Sequence, residues 1–105
     1  MEHIGKIDEK EVNRLKALHD ELYQLTGTDD EGNTHYLYVK KPDMAALSAS
    51  ARYVDTDPIK SGQLMYNSCK VCGSTKFDTG AEWTMGAMAQ IGTLFKAKEL
   101  ELEKL

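Results

Sequence analysis

The residues with the most reactive side chains are Cys69 and Cys72, which form a Cys-x-x-Cys motif. In thioredoxin-like redox proteins this motif begins a helix, where the helix dipole lowers the pKa of the first thiol. Here the motif follows a predicted helix, so the dipole has the opposite sign and disfavours thiol redox chemistry. The sequence favours Cys69 as a small core residue and Cys72 as the end of a turn.

Zinc is a second chemistry that these two cysteines could support. A structural zinc site needs four ligands, commonly a second Cys-x-x-Cys or a pair of histidines about a dozen residues further on. The three histidines, His3, His19 and His35, are scattered and all precede the cysteines. No metal or cofactor is therefore predicted, and a zinc or thiol protein that uses Cys69 and Cys72 is kept as a less favoured alternative.

No short motif of the sequence predicts an enzyme. A phosphate-binding glycine loop, a Gly-x-Ser-x-Gly motif and a Ser-His-Asp order are all lacking. The acidic run at residues 29–33 lacks the alternating oxygen ligands and the final glutamate of a calcium loop, and it is interpreted as a hairpin turn. We predict a non-enzymatic protein without catalytic residues.

The chain has 105 residues and a formal net charge of -4. This length fits one domain with a core of its own, over residues 1–105. A negative charge provides no field that attracts a phosphate backbone, so nucleic acid is not an expected partner. The first residues lack the apolar run of a signal peptide, and no window is apolar enough to span a membrane. A cytoplasmic protein with free thiols and no membrane contact is expected.

The sequence predicts an α+β fold organised around residues 36–43. Tyr36, Leu37 and Val39 favour a half-buried strand, Pro42 ends it, and Asp43 can cap the helix that follows. The predicted order along the chain is a flexible segment, a helix, a β-hairpin and a helical part, over residues 1–7, 8–21, 22–41 and 43–105.

The first helix and the hairpin are predicted from local patterns. Asp8 and Glu11 have the spacing of a capping box, which marks the start of a helix. The apolar period changes from near 3.6 to near 2 around Leu22, and Gly32 and Asn33 can form the turn between two strands. Because an isolated hairpin is marginally stable, its apolar face must pack on helices or pair with another strand.

Three helices are predicted after the hairpin, and the last one is long. Asp43 and Asp57 are the expected caps of the first two, with Pro58 at the first position of the second. The last helix is predicted to span residues 81–104. The buried side of the middle helix is predicted to carry Ile59, Met65, Tyr66 and Cys69.

The last helix also carries the predicted binding surface. Its apolar side chains recur at spacings of three and four, while Gly86 and Gly92 leave one side thin enough for a partner helix to approach. The charged segment from Lys96 onward is expected to keep the complex soluble, and self-association is a further expectation. The predicted partner-binding residues are Met85, Met88, Ile91 and Phe95.

The order of these motifs resembles small tail assembly chaperones of tailed phages and prophages. The resemblance covers residues 20–105 and is carried by capping and packing signals. It includes an Ala/Ser-rich helix after the hairpin. The other matching motifs are the strand with Pro42-Asp43, the restart at Asp57-Pro58-Ile59, the run Tyr66-Asn67-Ser68-Cys69 with Gly73, and the last helix closing on residues 98–105.

The resemblance implies a non-enzymatic protein of the host cell cytoplasm. Such proteins coat the hydrophobic, helical tape measure protein, bring tail tube subunits to it, and leave before the virion is complete. The resemblance implies no catalytic or ligand residues. The alternative is a small structural protein of the tail or of the head-tail joint, which mass spectrometry of purified particles would detect.

Overall fold

The computed structural model describes residues 1–95 and 97–105, and Lys96 lies outside the described residues. Within these residues the chain forms helices and a mixed sheet, which confirms the predicted α+β class. The strands are β1 (His3–Ile4), β2 (Leu22–Thr28), β3 (Thr34–Lys40) and β4 (Lys70–Gly73). The helices are α1 (Glu9–Leu18), α2 (Met44–Ala51), α3 (Pro58–Cys69), α4 (Lys76–Thr79) and α5 (Ala81–Gly92).

The strand β3 is the centre of the sheet. It pairs antiparallel with β2 along one edge, with Leu37 opposite Leu25. Along its second edge it pairs parallel with β1 and then antiparallel with β4. The hairpin of β2 and β3 thus gains the additional pairing that it needs from two strands distant in the sequence.

The core lies on the face of the sheet that the helices α3, α4 and α5 cover. Successive side chains of a strand point to opposite faces, and Leu37 and Val39 both point to this one. Both are fully buried, and removing them from water drives the packing of the helices onto the sheet. The other buried residues of the core cluster are Tyr66, Cys69, Phe77, Ala87 and Ile91.

The helices α2 and α3 are joined through two buried serines. The Ser61 hydroxyl donates to the Ser50 carbonyl at 2.8 Å, and the Ser50 hydroxyl donates to the Ser61 carbonyl at 3.0 Å. This exchange satisfies both polar groups and turns their side of α3 inward. Ile59 is consequently exposed, so its predicted burial is wrong, whereas Tyr66 and Cys69 are buried as predicted.

The opposite face of β3 is covered by the beginning of the chain. The Tyr38 hydroxyl accepts the Ile7 N–H at 3.4 Å and donates to the Gln24 side chain at 3.0 Å. The Tyr36 hydroxyl lies 2.8 Å from Nδ1 of His3. Tyr36 and Tyr38 are both buried, so β3 is enclosed on both of its faces.

The first residues form part of the sheet rather than the predicted flexible segment. The Thr34 N–H donates to the Glu2 carbonyl at 2.8 Å, and the Glu2 N–H donates to the Asn33 side chain at 3.0 Å. Gly5 has a φ of +82°, and a Cβ there would lie 2.5 Å from the Ser74 nitrogen. These contacts join residues that are about thirty to seventy positions apart, so no local pattern in the sequence indicates them.

Three aspartates begin helices as predicted. The side chains of Asp8, Asp43 and Asp57 each accept the N–H three residues further on, at 2.8, 2.8 and 3.1 Å. Glu11 does not complete the capping box, because its carboxylate pairs with Arg14 instead. The helix α1 also ends before its predicted boundary at residue 21.

The predicted helical part is interrupted by β4. This strand follows α3 directly and pairs with Leu37, Tyr38 and Val39, with an irregularity in register between the last two. Val71 in its middle is β-branched and suits a strand. The pairing satisfies the second edge of β3 with residues that come directly after the end of α3.

The helix α5 is shorter than predicted. It ends at Gly92, and the Thr93 hydroxyl donates to the Gln90 carbonyl at 2.7 Å beside the last turn. Glycine and threonine are both weak helix formers, which explains the early end. Residues 97–105 are neither helix nor strand, and the part of the predicted helix at Lys96 lies outside the described residues.

Candidate functional site

A groove of about 750 Å³ lies between β2 and α5. Trp83, Gly86 and Gln90 line it from the helix, and residues 24–28 line it from the strand. A Cβ at Gly27 would lie 2.7 Å from the Trp83 ring, so this glycine lets the ring approach the strand. The charged side chains that line the groove are Asp29, Asp30, Lys76 and Glu82.

The strand β2 is the outer strand of the sheet on this side. Its pairing with β3 uses one edge, and within residues 1–95 and 97–105 no strand pairs with the other. An unpaired edge presents a row of backbone N–H and C=O groups that can bind an added strand. The groove therefore combines backbone hydrogen-bonding groups with a helix wall.

A hydrogen-bonded chain of Asp29, His35 and Ser74 lies beside this groove. The His35 Nε2 is 2.8 Å from the Asp29 carboxylate, and its Nδ1 is 2.7 Å from the Ser74 hydroxyl. A carboxylate only accepts, so Nε2 donates to it, and the Nδ1 of the neutral ring then accepts from Ser74. The ring also contacts Trp83 edge-on, with centroids 5.0 Å apart.

This chain has the residue types of a serine hydrolase but not the access. Ser74 is buried, its hydroxyl also accepts the Lys76 N–H at 3.2 Å, and it does not line the groove. A nucleophile must reach its substrate, so the role of this arrangement is structural. It holds the turn between β2 and β3, together with β3 itself, against the start of α4. No sequence pattern indicates it, because its three members meet only through the hairpin turn and the pairing of β4.

The carboxyl group of Asp29 gives the fold a pH dependence. The hydrogen bond from His35 is the largest effect that lowers the pKa of Asp29 below its ordinary value of 3.8, and the N–H groups of Asn33 and Glu31 add to it. A carboxyl group whose pKa is lower in the folded state stabilises the fold above its unfolded pKa. The contribution is lost as the pH falls through the folded value.

We expect Asp29→Asn to lower the melting temperature at neutral pH, and the difference from the wild type should shrink as the pH falls through the lowered pKa of Asp29, because the wild-type carboxyl then becomes protonated as well. Thermal melts followed by circular dichroism across this range measure the effect. Asp30→Asn is the control, because Asp30 is the exposed neighbour in the same turn. A difference in melting temperature that is equal at every pH would contradict the assignment.

The two cysteines do not form a reactive pair. Cys69 is the last residue of α3 and is fully buried in the core, while Cys72 lies on β4 opposite Tyr38. Burial raises the pKa of both thiols and so disfavours the thiolate that redox chemistry or metal binding requires. In the part of the chain that the structure describes, no cluster of three or more His, Cys, Asp or Glu residues is placed to hold a metal ion.

The four predicted partner-binding residues separate into two pairs. Met85 is 58% exposed and Phe95 is 46% exposed, so both can contact a partner. Met88 is partly buried and packs against the core. Its methyl group lies so close to Gly62 that a Cβ on Gly62 would clash with it. Ile91 is fully buried, which corrects its predicted role, because a side chain inside the core cannot bind another chain. The helical period places Met88 and Ile91 on the inner side of α5.

One stripe on the exposed side of α5 is apolar, and Glu82, Gly86 and Gln90 are exposed beside it. We call the exposed residues Ala81, Met85, Ala89 and Gly92 the outer face of α5. The helical period brings these four onto one stripe beside the groove, and Phe95 follows shortly after. A Cβ at Gly92 would have no neighbour within 4 Å, so the face is open at that end.

No protein-family model, curated protein or solved structure matches this chain. The basis for a function is therefore the outer face of α5, the groove and the free edge of β2. Among the described residues, none of the helices has both the length and the apolar composition needed to cross a membrane.

Proposed function

We propose that this chain is a non-enzymatic protein-binding domain of the tail assembly chaperone type. Its partner is an apolar helical segment of a tape measure protein, or a tail tube subunit, during assembly of a phage tail. The observation that carries the proposal is the outer face of α5, where Met85 is 58% exposed and Phe95, just beyond it, is 46% exposed. Exposed apolar side chains of this size are available for contact with a partner.

The composition of the outer face suits a partner helix. Ala81, Ala89 and Gly92 are small, so another helix axis can approach α5 closely. Met85 is unbranched and adapts its shape, which suits a surface that accepts apolar side chains of different outline. A partner helix packed on this face would be held through a few apolar anchors, here Met85 and Phe95.

The inner side of α5 holds this surface in place. Ala87 and Ile91 are buried in the core, and Phe77 packs edge-on against Trp83 at a centroid distance of 5.2 Å. The Thr84 hydroxyl donates to the Gly80 carbonyl at 3.1 Å near the start of the helix. A surface fixed before binding loses less conformational freedom when its partner arrives.

Introducing positive charge at the apolar anchors tests the proposal. The double variant Met85→Lys and Phe95→Lys places two ammonium groups where a partner helix would lie. When the chain is co-expressed with the tape measure protein of the same phage genome, we expect the wild type to keep that protein in the soluble fraction. Losing two apolar contacts should weaken the complex by about tenfold or more.

Met44→Lys is the matched control. Met44 is an exposed methionine on α2, a different helix, so the same substitution there should leave binding unchanged. Undiminished co-purification of the double variant, with its circular dichroism spectrum unaltered, would contradict the proposal.

A further inference from the structure

We propose that residues 98–105 of one copy of this chain pair as a strand with the free edge of β2 in a second copy. The leucines of the added strand enter the groove between β2 and α5. Two copies exchange these segments and form a closed, symmetric dimer. This inference uses a different surface from the proposed function and does not depend on it.

The C-terminal segment has the pattern of a strand with one apolar side. Leu100 and Leu102 alternate with Glu99, Glu101 and Glu103, which is the period of a half-buried strand. Leu100 is 85% exposed and Leu102 is fully exposed, so the fold of one copy covers neither. An extended segment with an exposed apolar side gains by adding to a sheet edge.

The groove offers what such a segment needs. The free edge of β2 provides backbone hydrogen-bonding groups along residues 24–28, a length of about 16 Å for five strand residues. The helix wall at Gly86 leaves room for side chains, because a Cβ there would meet nothing within 4 Å. Two leucines on one side of the added strand are about 7 Å apart and fit along this length.

The charges of the C-terminal segment fit an orientation in which its leucines face the groove. When the leucines face the groove, the glutamates point to the other face of the sheet. The nearest side chains of β2 on that face are Gln24, Thr26 and Thr28, since these lie opposite Tyr38, Tyr36 and Thr34. They carry amide and hydroxyl groups, so the glutamates avoid the carboxylates of Asp30 and Glu82 that line the groove.

A second copy is the acceptor, because Leu100 and Leu102 remain exposed in the fold of one copy and so lie outside its own groove. The radius of gyration is 15.9 Å, whereas a compact chain of this length has about 13 Å. The longest axis measures 62 Å against 34 Å for the next. The last nine residues, fully extended, span about 30 Å, which is sufficient to reach a neighbouring molecule.

Sedimentation velocity of the full chain over a concentration series tests the dimer. We expect a dimer for the wild type and a loss of about tenfold or more in dimer affinity for the double variant Leu100→Lys and Leu102→Lys. Glu99→Lys with Glu101→Lys is the control, because it adds two lysines to the opposite side of the strand and should preserve the dimer. Both changes are at exposed positions, so neither disturbs folding.

Hydrogen exchange of the backbone amides locates the contact. In the dimer, residues 24–28 should gain protection, and the leucine variant should lose it. A monomeric wild type at every concentration, whether or not residues 24–28 are protected, would overturn the proposal. So would a leucine variant that dimerises like the wild type, or a dimer without protection of β2. Met85→Lys with Phe95→Lys should leave the dimer intact, so the two proposals fail independently.

Discussion

Ile91→Ala is expected to lower the free energy of unfolding by about 2–5 kcal/mol. Ile91 is fully buried and packs in the cluster of Leu37, Val39 and Tyr66 beneath the sheet. Truncation removes apolar contacts and leaves a cavity, because a helix joined to the sheet by several other side chains cannot move in to fill the space. Urea denaturation followed by circular dichroism measures the loss.

Met85→Ala is the matched control for this prediction. It truncates an apolar side chain on the same helix, but on the outer face, and the change in stability should stay within about 0.5 kcal/mol. If Ile91→Ala were equally mild and instead weakened binding to a partner, then Ile91 would belong to the binding surface as first predicted. The pair thus separates the core side of α5 from its outer face.

Gly73→Ala is expected to destabilise the protein by about 2–4 kcal/mol, because it combines backbone strain with a steric conflict. Gly73 has a φ of +148°, which residues with a side chain rarely adopt. A Cβ there would lie 2.5 Å from the Tyr36 carbonyl oxygen and 2.8 Å from the Leu37 Cα. Both atoms belong to the backbone of β3 and cannot move without disturbing the sheet.

Gly86→Ala is the control for Gly73→Ala. Gly86 lies within α5, and a Cβ there would have nothing within 4 Å, so alanine should stabilise the protein by about 0.5–1 kcal/mol. Thermal and urea denaturation of both variants give the comparison. Equal effects of the two substitutions would contradict the account of Gly73.

The features predicted correctly from the sequence are those determined by neighbouring residues. Asp8, Asp43 and Asp57 cap their helices as expected, because a cap needs only an oxygen and an N–H three residues further on. The paired strands β2 and β3 are connected by a turn that contains Gly32, which has a φ of +85°. Such turns depend on local backbone preferences and are visible in the chain itself.

The features missed are those that distant parts of the chain create together. The strands β1 and β4 exist because β3 offers a second edge, which no pattern at residues 3–4 or 70–73 reveals. The chain of Asp29, His35 and Ser74 depends on the same pairing. The predicted surface role of Ile91 is wrong because periodicity identifies an apolar stripe without showing which side of a helix the core occupies.

The position of β3 has a consequence for synthesis of the protein on the ribosome. β2 and β3 emerge one after the other and can pair at once, but the second edge of β3 is completed only when residues 70–73 leave the exit tunnel. Until then the nascent chain presents the most apolar strand of the molecule with one side open. A longer interval between the emergence of β3 and that of β4 would favour aggregation of the unfinished polypeptide.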